Sequence, residues 1–271
     1  MVNPIYIIAV LLGIGFILPL TEKKLSKLGP WLFYAGLIFT AAVSYQWFRY
    51  FILTGGESFQ IFTAGVKPPL SINLQIGLFE SVLIFVTNVT GITGAVYMTK
   101  QISETGVRAM VLLLLLLLGL NGLILTRDIF NLFVFMEITA ISTYSLIGMD
   151  LRSRSLSAGF KYMIAGGLAS AFLLLGIIIV YSLTGTLNLD GMIQSAGAVR
   201  NVKLLSVGSM MILFSFIVEA KQFPANGWAL DVYEGTKPGV AGLISGIGTV
   251  AVFFGFYKTM PVFSKELLTI T

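Results

Sequence analysis

The 271-residue chain contains no cysteine and no histidine. Disulfides and iron–sulfur ligation are therefore excluded, and so are the commonest ligands of structural metals and haem. The missing histidine also removes the side chain that most readily exchanges a proton near neutral pH. Any proton chemistry falls to lysine, glutamate, aspartate, tyrosine or water. Charge is scarce: 11% of residues are charged, against about a quarter in soluble domains. The net charge of +5 is spread along the chain. No basic tract tracks a nucleic-acid backbone, so that class of partner is set aside. The sequence assigns no metal and no cofactor to this chain.

What is abundant is apolar: 56% of the residues are hydrophobic. A helical membrane span needs about 20 such residues. The runs predict eight spans, at about 3–20, 31–54, 75–98, 108–126, 129–149, 158–183, 204–222 and 238–257. The fold expected is an all-α polytopic membrane protein, a single transmembrane domain over residues 1–271 with a discontinuous seventh helix. The first run has no positive segment before it and no small-residue cleavage site, so it reads as a retained span rather than a signal peptide. Residues 55–74 are more polar, with Gly55-Gly56 and Pro68-Pro69, and read as an extramembrane loop with room for short strands. If the N-terminus faces outward, the inner loops hold nine Lys/Arg residues, from Lys23, Lys24 and Lys27 to Lys237, and the outer side holds seven, Lys67 and Lys265 among them. This favours an N-out, C-out arrangement.

A charge inside a span costs several kcal/mol and marks function by default. Glu137 sits midway along the fifth span, in Phe135-Met136-Glu137-Ile138. It reads as an ion-path residue or as a protonated carboxyl that only packs. Lys221 closes the seventh, in Glu219-Ala220-Lys221-Gln222-Phe223-Pro224. Pro224 lacks an N–H, and its ring collides with the carbonyl four residues back, at Ala220, so the helix should break around Lys221. Such a break at membrane depth is tolerated only inside protein or beside water. Lys221 then reads either as part of an ion site on a broken helix or as a lysine snorkelling to the interface. Glu137 and Lys221 are candidates for a charge pair.

Several other groups are weaker candidates. Glu80 lies near the start of the third span, as a buried or an interfacial acid. Glu219 shares a helix face with Ser215, four residues back, but not with Lys221. Asp231 and Glu234 follow the break and are placed to cap the next helix start. Arg127-Asp128 reads as a solvated turn pair. Gly242 and Gly246 form a small-xxx-small pair that suggests close helix packing.

Three blocks occur in order over about residues 105–258. The first is Arg127-Asp128-Ile129-Phe130-Asn131-Leu132-Phe133-Val134-Phe135-Met136-Glu137 with Ser142-Thr143-Tyr144-Ser145-Leu146-Ile147-Gly148. The second runs from Lys161-Tyr162 through Gly166-Gly167-Leu168-Ala169-Ser170 to Tyr181-Ser182-Leu183-Thr184-Gly185-Thr186-Leu187. The third is Lys221-Gln222-Phe223-Pro224-Ala225-Asn226-Gly227-Trp228, then Asp231-Val232-Tyr233-Glu234-Gly235 and Ser245-Gly246. Together they resemble the antiporter-like membrane subunits of respiratory complex I, Mrp sodium/proton antiporters and membrane-bound hydrogenases. The resemblance implies that Glu137 is the family's fifth-helix glutamate and Lys221 its central lysine, the input pair of a proton or sodium path. Lys161 is a further candidate.

The resemblance also implies a multi-subunit complex in a prokaryotic cell membrane. Other membrane subunits, further antiporter-like subunits among them, and a peripheral redox arm holding iron–sulfur clusters would be the partners. The chain departs from the pattern in three places. Asn226 stands where many members have histidine. Val250 stands where the eighth helix usually carries lysine. Lys258 is in the place of a usual arginine. Typical members continue to about fourteen helices in two inverted halves, so this chain is expected to hold the start of an ion path and to lack its continuation. The alternatives are a structural subunit that docks other membrane subunits and an independent secondary transporter.

Overall fold

Where no water can serve the backbone, an α-helix satisfies its own N–H and C=O groups, so the long apolar runs become helices. The computed structural model describes residues 1–21, 28–63, 65–66 and 71–267. In chain order these form α1 (Ile5–Thr21), α2 (Leu28–Thr54), strands β1 (Phe59–Phe62) and β2 (Asn73–Ile76), then α3 (Leu78–Tyr97), α4 (Thr99–Thr105), α5 (Val107–Leu125) and α6 (Ile129–Gly148). They continue with α7 (Ser153–Thr184), α8 (Leu189–Ala196), α9 (Val202–Glu219), α10 (Gly227–Gly235), α11 (Pro238–Leu243), a π-helical turn (Ile244–Gly248) and α12 (Thr249–Leu267). By length and composition, seven helical segments among the described residues can cross a membrane, counting Pro238–Phe263 as one; α1 is a shorter apolar helix. The protein is an all-helical polytopic membrane protein with one small hairpin.

That hairpin is the short-strand element expected in the polar loop. Its strands are antiparallel, with Phe59 opposite Ile76 and Phe62 opposite Asn73. Pro68-Pro69 and Lys67 in its connection, like Glu22, Lys23, Lys24 and Lys27 after the first span, lie outside the described residues. The short helices α4, α8 and α10 do not show in the hydropathy pattern. Their sequences lack a membrane-length apolar run; α8 opens with Asn188 accepting from the Gly191 N–H at 3.1 Å, an N-cap interaction. The sixth span starts earlier than expected, at Ser153, because the polar turn around Arg154 and Ser155 hides it from a hydropathy reading.

Helix α5 is the core of the bundle, with α1, α3, α6 and α12 packed around it. It carries the leucine run from Leu112 to Leu118. Two asparagines pin it to α3: Asn88 donates to Asn121 Oδ1 at 3.0 Å and Asn121 donates back to Asn88 Oδ1 at 3.1 Å. Each also donates to the carbonyl one turn earlier, at 2.8 Å. In a layer where apolar surface cannot tell one helix from another, hydrogen bonds and close contact fix the pairing. Small residues do the rest. A Cβ on Gly176 of α7 would meet the Gly208 carbonyl of α9 at 2.7 Å. Gly242 and Gly246 do not act this way. Both are exposed and a Cβ on either would meet nothing within 4 Å.

Candidate ion-path site

The seventh span breaks where the sequence said it would, and hydrogen bonds close it. Helix α9 ends at Glu219. The Gln222 N–H then bonds the Ile217 carbonyl at 2.9 Å and the Lys221 N–H bonds the Val218 carbonyl at 3.0 Å. This pairing is the Schellman motif, which satisfies carbonyls left open at a helix end. It requires a left-handed residue just past the cap, and that residue is Lys221, at φ +56°. Glycine normally fills this place. The left-handed region costs a side-chain-bearing residue roughly 1–2 kcal/mol, and such strain gathers at functional positions. Pro224 lies within the break, between α9 and α10. Glycine does the same job at the end of α7, where Gly185 has φ +71°.

The turn swings the lysine back over its own helix end. Lys221 Nζ donates to the Glu219 carbonyl at 3.2 Å. It also stands 5.6 Å from the ring centre of Tyr162 on α7 and 6.0 Å from that of Trp228 on α10. The two rings meet edge to face at 5.2 Å. Aromatic faces attract a cation, more so when water is excluded. Lys221 is half-buried, with its ammonium turned toward these two rings.

Glu219 is 4% exposed. It fits because α7 presents glycine to it: a Cβ on Gly166 would lie 3.3 Å from Glu219 Oε1. Glu137, half-buried on α6, accepts a hydrogen bond from the Ser170 hydroxyl of α7. Glu219 is within electrostatic reach of both Lys221 and Glu137. No ion pair within 4.0 Å joins Glu137 to Lys221 among the described residues. The site is thus a three-charge arrangement, with Glu219 common to the other two. The sequence offered a signal for it: Tyr162, Gly166 and Ser170 recur every four residues and share one face of α7.

Sequence-predicted residues outside this cluster fall into two groups at opposite ends of the bundle. Asp231 and Glu234 cap nothing; Asn226 and Lys237 hold the cap positions of α10 and α11. Both acids lie inside α10 and pair with α7, Asp231 with Lys161 and Glu234 with Arg154. The four side chains are 47–68% exposed, so these bridges fasten α10 weakly. Ser155 adds a hydrogen bond to the Gly235 carbonyl at 3.1 Å.

At the other end, Glu80 caps α3 by accepting the Gly77 N–H at 2.9 Å. Lys258 of α12 is 4% exposed. Its Nζ donates to the carbonyls of Leu123, Ile124 and Thr126 at 2.7, 2.9 and 2.7 Å, closing the end of α5. Glu80, Arg127 and Lys258 line a cavity of about 520 Å³. Arg127-Asp128 is not a solvated turn pair. Arg127 pairs with Asp190 of α8, while Asp128 caps α6 by accepting the Asn131 N–H at 2.8 Å. Burial pushes the Asp128 carboxyl up, against the pull of the Asn131 and Phe130 amides.

Residues 126–270 match the NADH:quinone oxidoreductase/Mrp antiporter transmembrane family. This chain belongs to that family. The matched stretch contains Glu137, Ser170, Glu219, Lys221 and Lys258. The chain is 29% identical over 212 residues to NADH-quinone oxidoreductase subunit N of Desulforudis audaxviator, covering 77% of this chain and 42% of that one. It is 29% identical over 200 residues to a Na(+)/H(+) antiporter subunit of Alkalihalophilus pseudofirmus, covering 73% and 40%. The structure of the membrane-bound sulfane sulfur reductase, an archaeal respiratory membrane complex, contains a chain that superposes with a TM-score of 0.84 at 34% identity. The overlap covers 94% of this chain and 52% of that one. This antiporter-like chain spans between two-fifths and about half the length of these relatives. The structural likeness carries the kinship beyond the matched family stretch, across α1 to α5.

Proposed function

We propose that this chain is a cation-translocating, antiporter-like subunit of a multi-subunit prokaryotic membrane complex of the respiratory or Mrp kind. The segment at about 105–258 forms the first half-repeat of an ion path, with Glu137 and Lys221 as its charged ends. One observation carries the reading: Glu219 is buried at the break in the seventh span, where Lys221 folds over its helix end and α7, which holds Glu137 through Ser170, packs against it at Gly166. Opposite charges hold each other ionised, while burial drives each toward neutral. A change in either partner therefore alters whether the site retains a proton. Further antiporter-like subunits and a peripheral arm with iron–sulfur clusters would supply the continuation of the path and the driving reaction. The likeness to chains of a quinone oxidoreductase, a cation antiporter and a sulfur reductase complex supports those partners.

The test is coupled proton or sodium flux in membrane vesicles containing the intact complex. Glu137→Gln and Lys221→Ala should each reduce flux at least tenfold while the complex still purifies whole. Unchanged flux in an assembled complex would replace this reading with that of a docking subunit. Isolation of the chain alone, without partner membrane subunits, would favour an independent transporter.

A further inference from the structure

Helices α7 and α9 run antiparallel, and their contacts fix a register. Gly176 meets Gly208 and Ile212, the rings of Phe172 and Phe214 lie 4.7 Å apart, and Gly166 meets Glu219. Each contact pairs positions that move in opposite directions along the two helices. Ser170 lies four residues from Gly166 and Ser215 four residues from Glu219, so both share the faces that Gly166 and Glu219 turn toward each other. The register therefore sets Ser170 level with Ser215, one turn deeper than Glu219. Ser170 already donates to Glu137. Ser215 is 0% exposed, and its hydroxyl has no hydrogen-bond partner among the described residues. Buried hydroxyls are nearly always hydrogen-bonded, to protein or to ordered water. An unpartnered one at this level, one helical turn from Glu219 and level with Ser170, marks a place for a hydrogen-bonded link.

Resting on the functional reading above, we infer that Ser215 and Ser170 form a hydroxyl relay that carries a proton between Glu219 and Glu137. The Glu219 carboxylic acid releases its proton toward Ser215 through a bridging water, and Ser215 passes its own toward Ser170 in the same way. Each hydroxyl oxygen gains a proton from one side as it loses its own to the other, and Ser170 delivers its proton to the Glu137 carboxylate. As many O–H bonds form as break. The net change is that Glu219 becomes a carboxylate and Glu137 a carboxylic acid. The Ser170 hydroxyl already points at its acceptor, as delivery to Glu137 requires. Lys221 acts at the far end: as a cation it holds Glu219 ionised, and as it loses charge the acid keeps its proton.

The experiment measures driven proton flux in vesicles containing the intact complex, with assembly checked by co-purification. Ser215→Ala and Ser170→Ala should each lower flux about tenfold. The double variant should be no worse than either single, because one interrupted wire is interrupted once. Ser215→Thr keeps a hydroxyl and should restore most of the flux. Glu219→Gln should lower flux and remove a protonated-carboxyl infrared band that Ser215→Ala leaves in place. Unchanged flux in Ser215→Ala, or equal loss in Ser215→Thr and Ser215→Ala, would overturn the relay. If Glu137→Gln abolishes flux while Ser215→Ala leaves it intact, only the relay falls. If Glu137→Gln is also silent, the ion-path reading falls with it.

Discussion

Lys221 Nζ donates to the backbone carbonyl of Glu219, two residues earlier, at 3.2 Å. On a continuous helix, residues two apart point in different directions. Here the chain reverses its hand at Lys221, and the ammonium folds back over the end of the helix that bears Glu219. The break does more than interrupt a span, because it folds the site's cation back over the helix end that carries its buried acid.

The backbone strain at Lys221 separates its two roles. Lys221→Gly should relieve the left-handed conformation and raise stability by about 1 kcal/mol, seen as a higher unfolding temperature in detergent. The same variant should lose coupled flux, as Lys221→Ala does without the gain in stability. A Lys221→Gly protein that melts earlier than the parent would show that the aromatic contacts of the ammonium outweigh the strain.

Lys258 is expected to behave as a structural residue. Replacing it with methionine removes the donor for three buried carbonyls at the end of α5. Each carbonyl left unsatisfied costs about 1–3 kcal/mol, so Lys258→Met should destabilise by about 3 kcal/mol or more. Thermal unfolding and the yield of assembled complex report it. A stable, fully assembled Lys258→Met protein with reduced flux would instead place Lys258 on the ion path.

The amide pair between α3 and α5 makes a cleaner case. Asn88→Leu or Asn121→Leu strands the remaining amide in an apolar layer, at about 1–3 kcal/mol. The double variant removes both polar groups and should recover most of that loss. Unfolding of the four proteins in one detergent measures the coupling. Additive losses would show that the hydrogen bonds between the two amides contribute little.

Much of the fold is legible in the sequence because its causes are local. A run of about 20 apolar residues must become a helix in a bilayer wherever it occurs, so the order of the spans follows from hydropathy, the first of the eight expected runs forming the shorter apolar helix α1. Pro224 breaks the seventh span through its own ring and missing N–H, whatever surrounds it. Glu137 and Lys221 stand out because a charge is rare in such a run. The short helices are not legible because they lack that run. The candidate charges are legible as a set, but not their sorting. Glu80 and Lys258 serve helix ends, Asp231 and Glu234 fasten α10 near its surface, and Glu219 holds the centre.

Only the tertiary structure decides that sorting, since a charge acts through neighbours brought from distant parts of the chain. Gly166 leaves room for Glu219, Ser170 reaches Glu137, and Tyr162 with Trp228 encloses Lys221. Each contact depends on the register of α6, α7 and α9, which close packing of Gly159 of α7 against the Tyr144 carbonyl of α6, and of Gly176 against Gly208 between α7 and α9, sets. Local composition alone makes this a broken-helix membrane protein with costly internal charges. Helix packing decided which of those charges meet, because in a bilayer apolar surface is the same on every side and only close fit and hydrogen bonds select a neighbour.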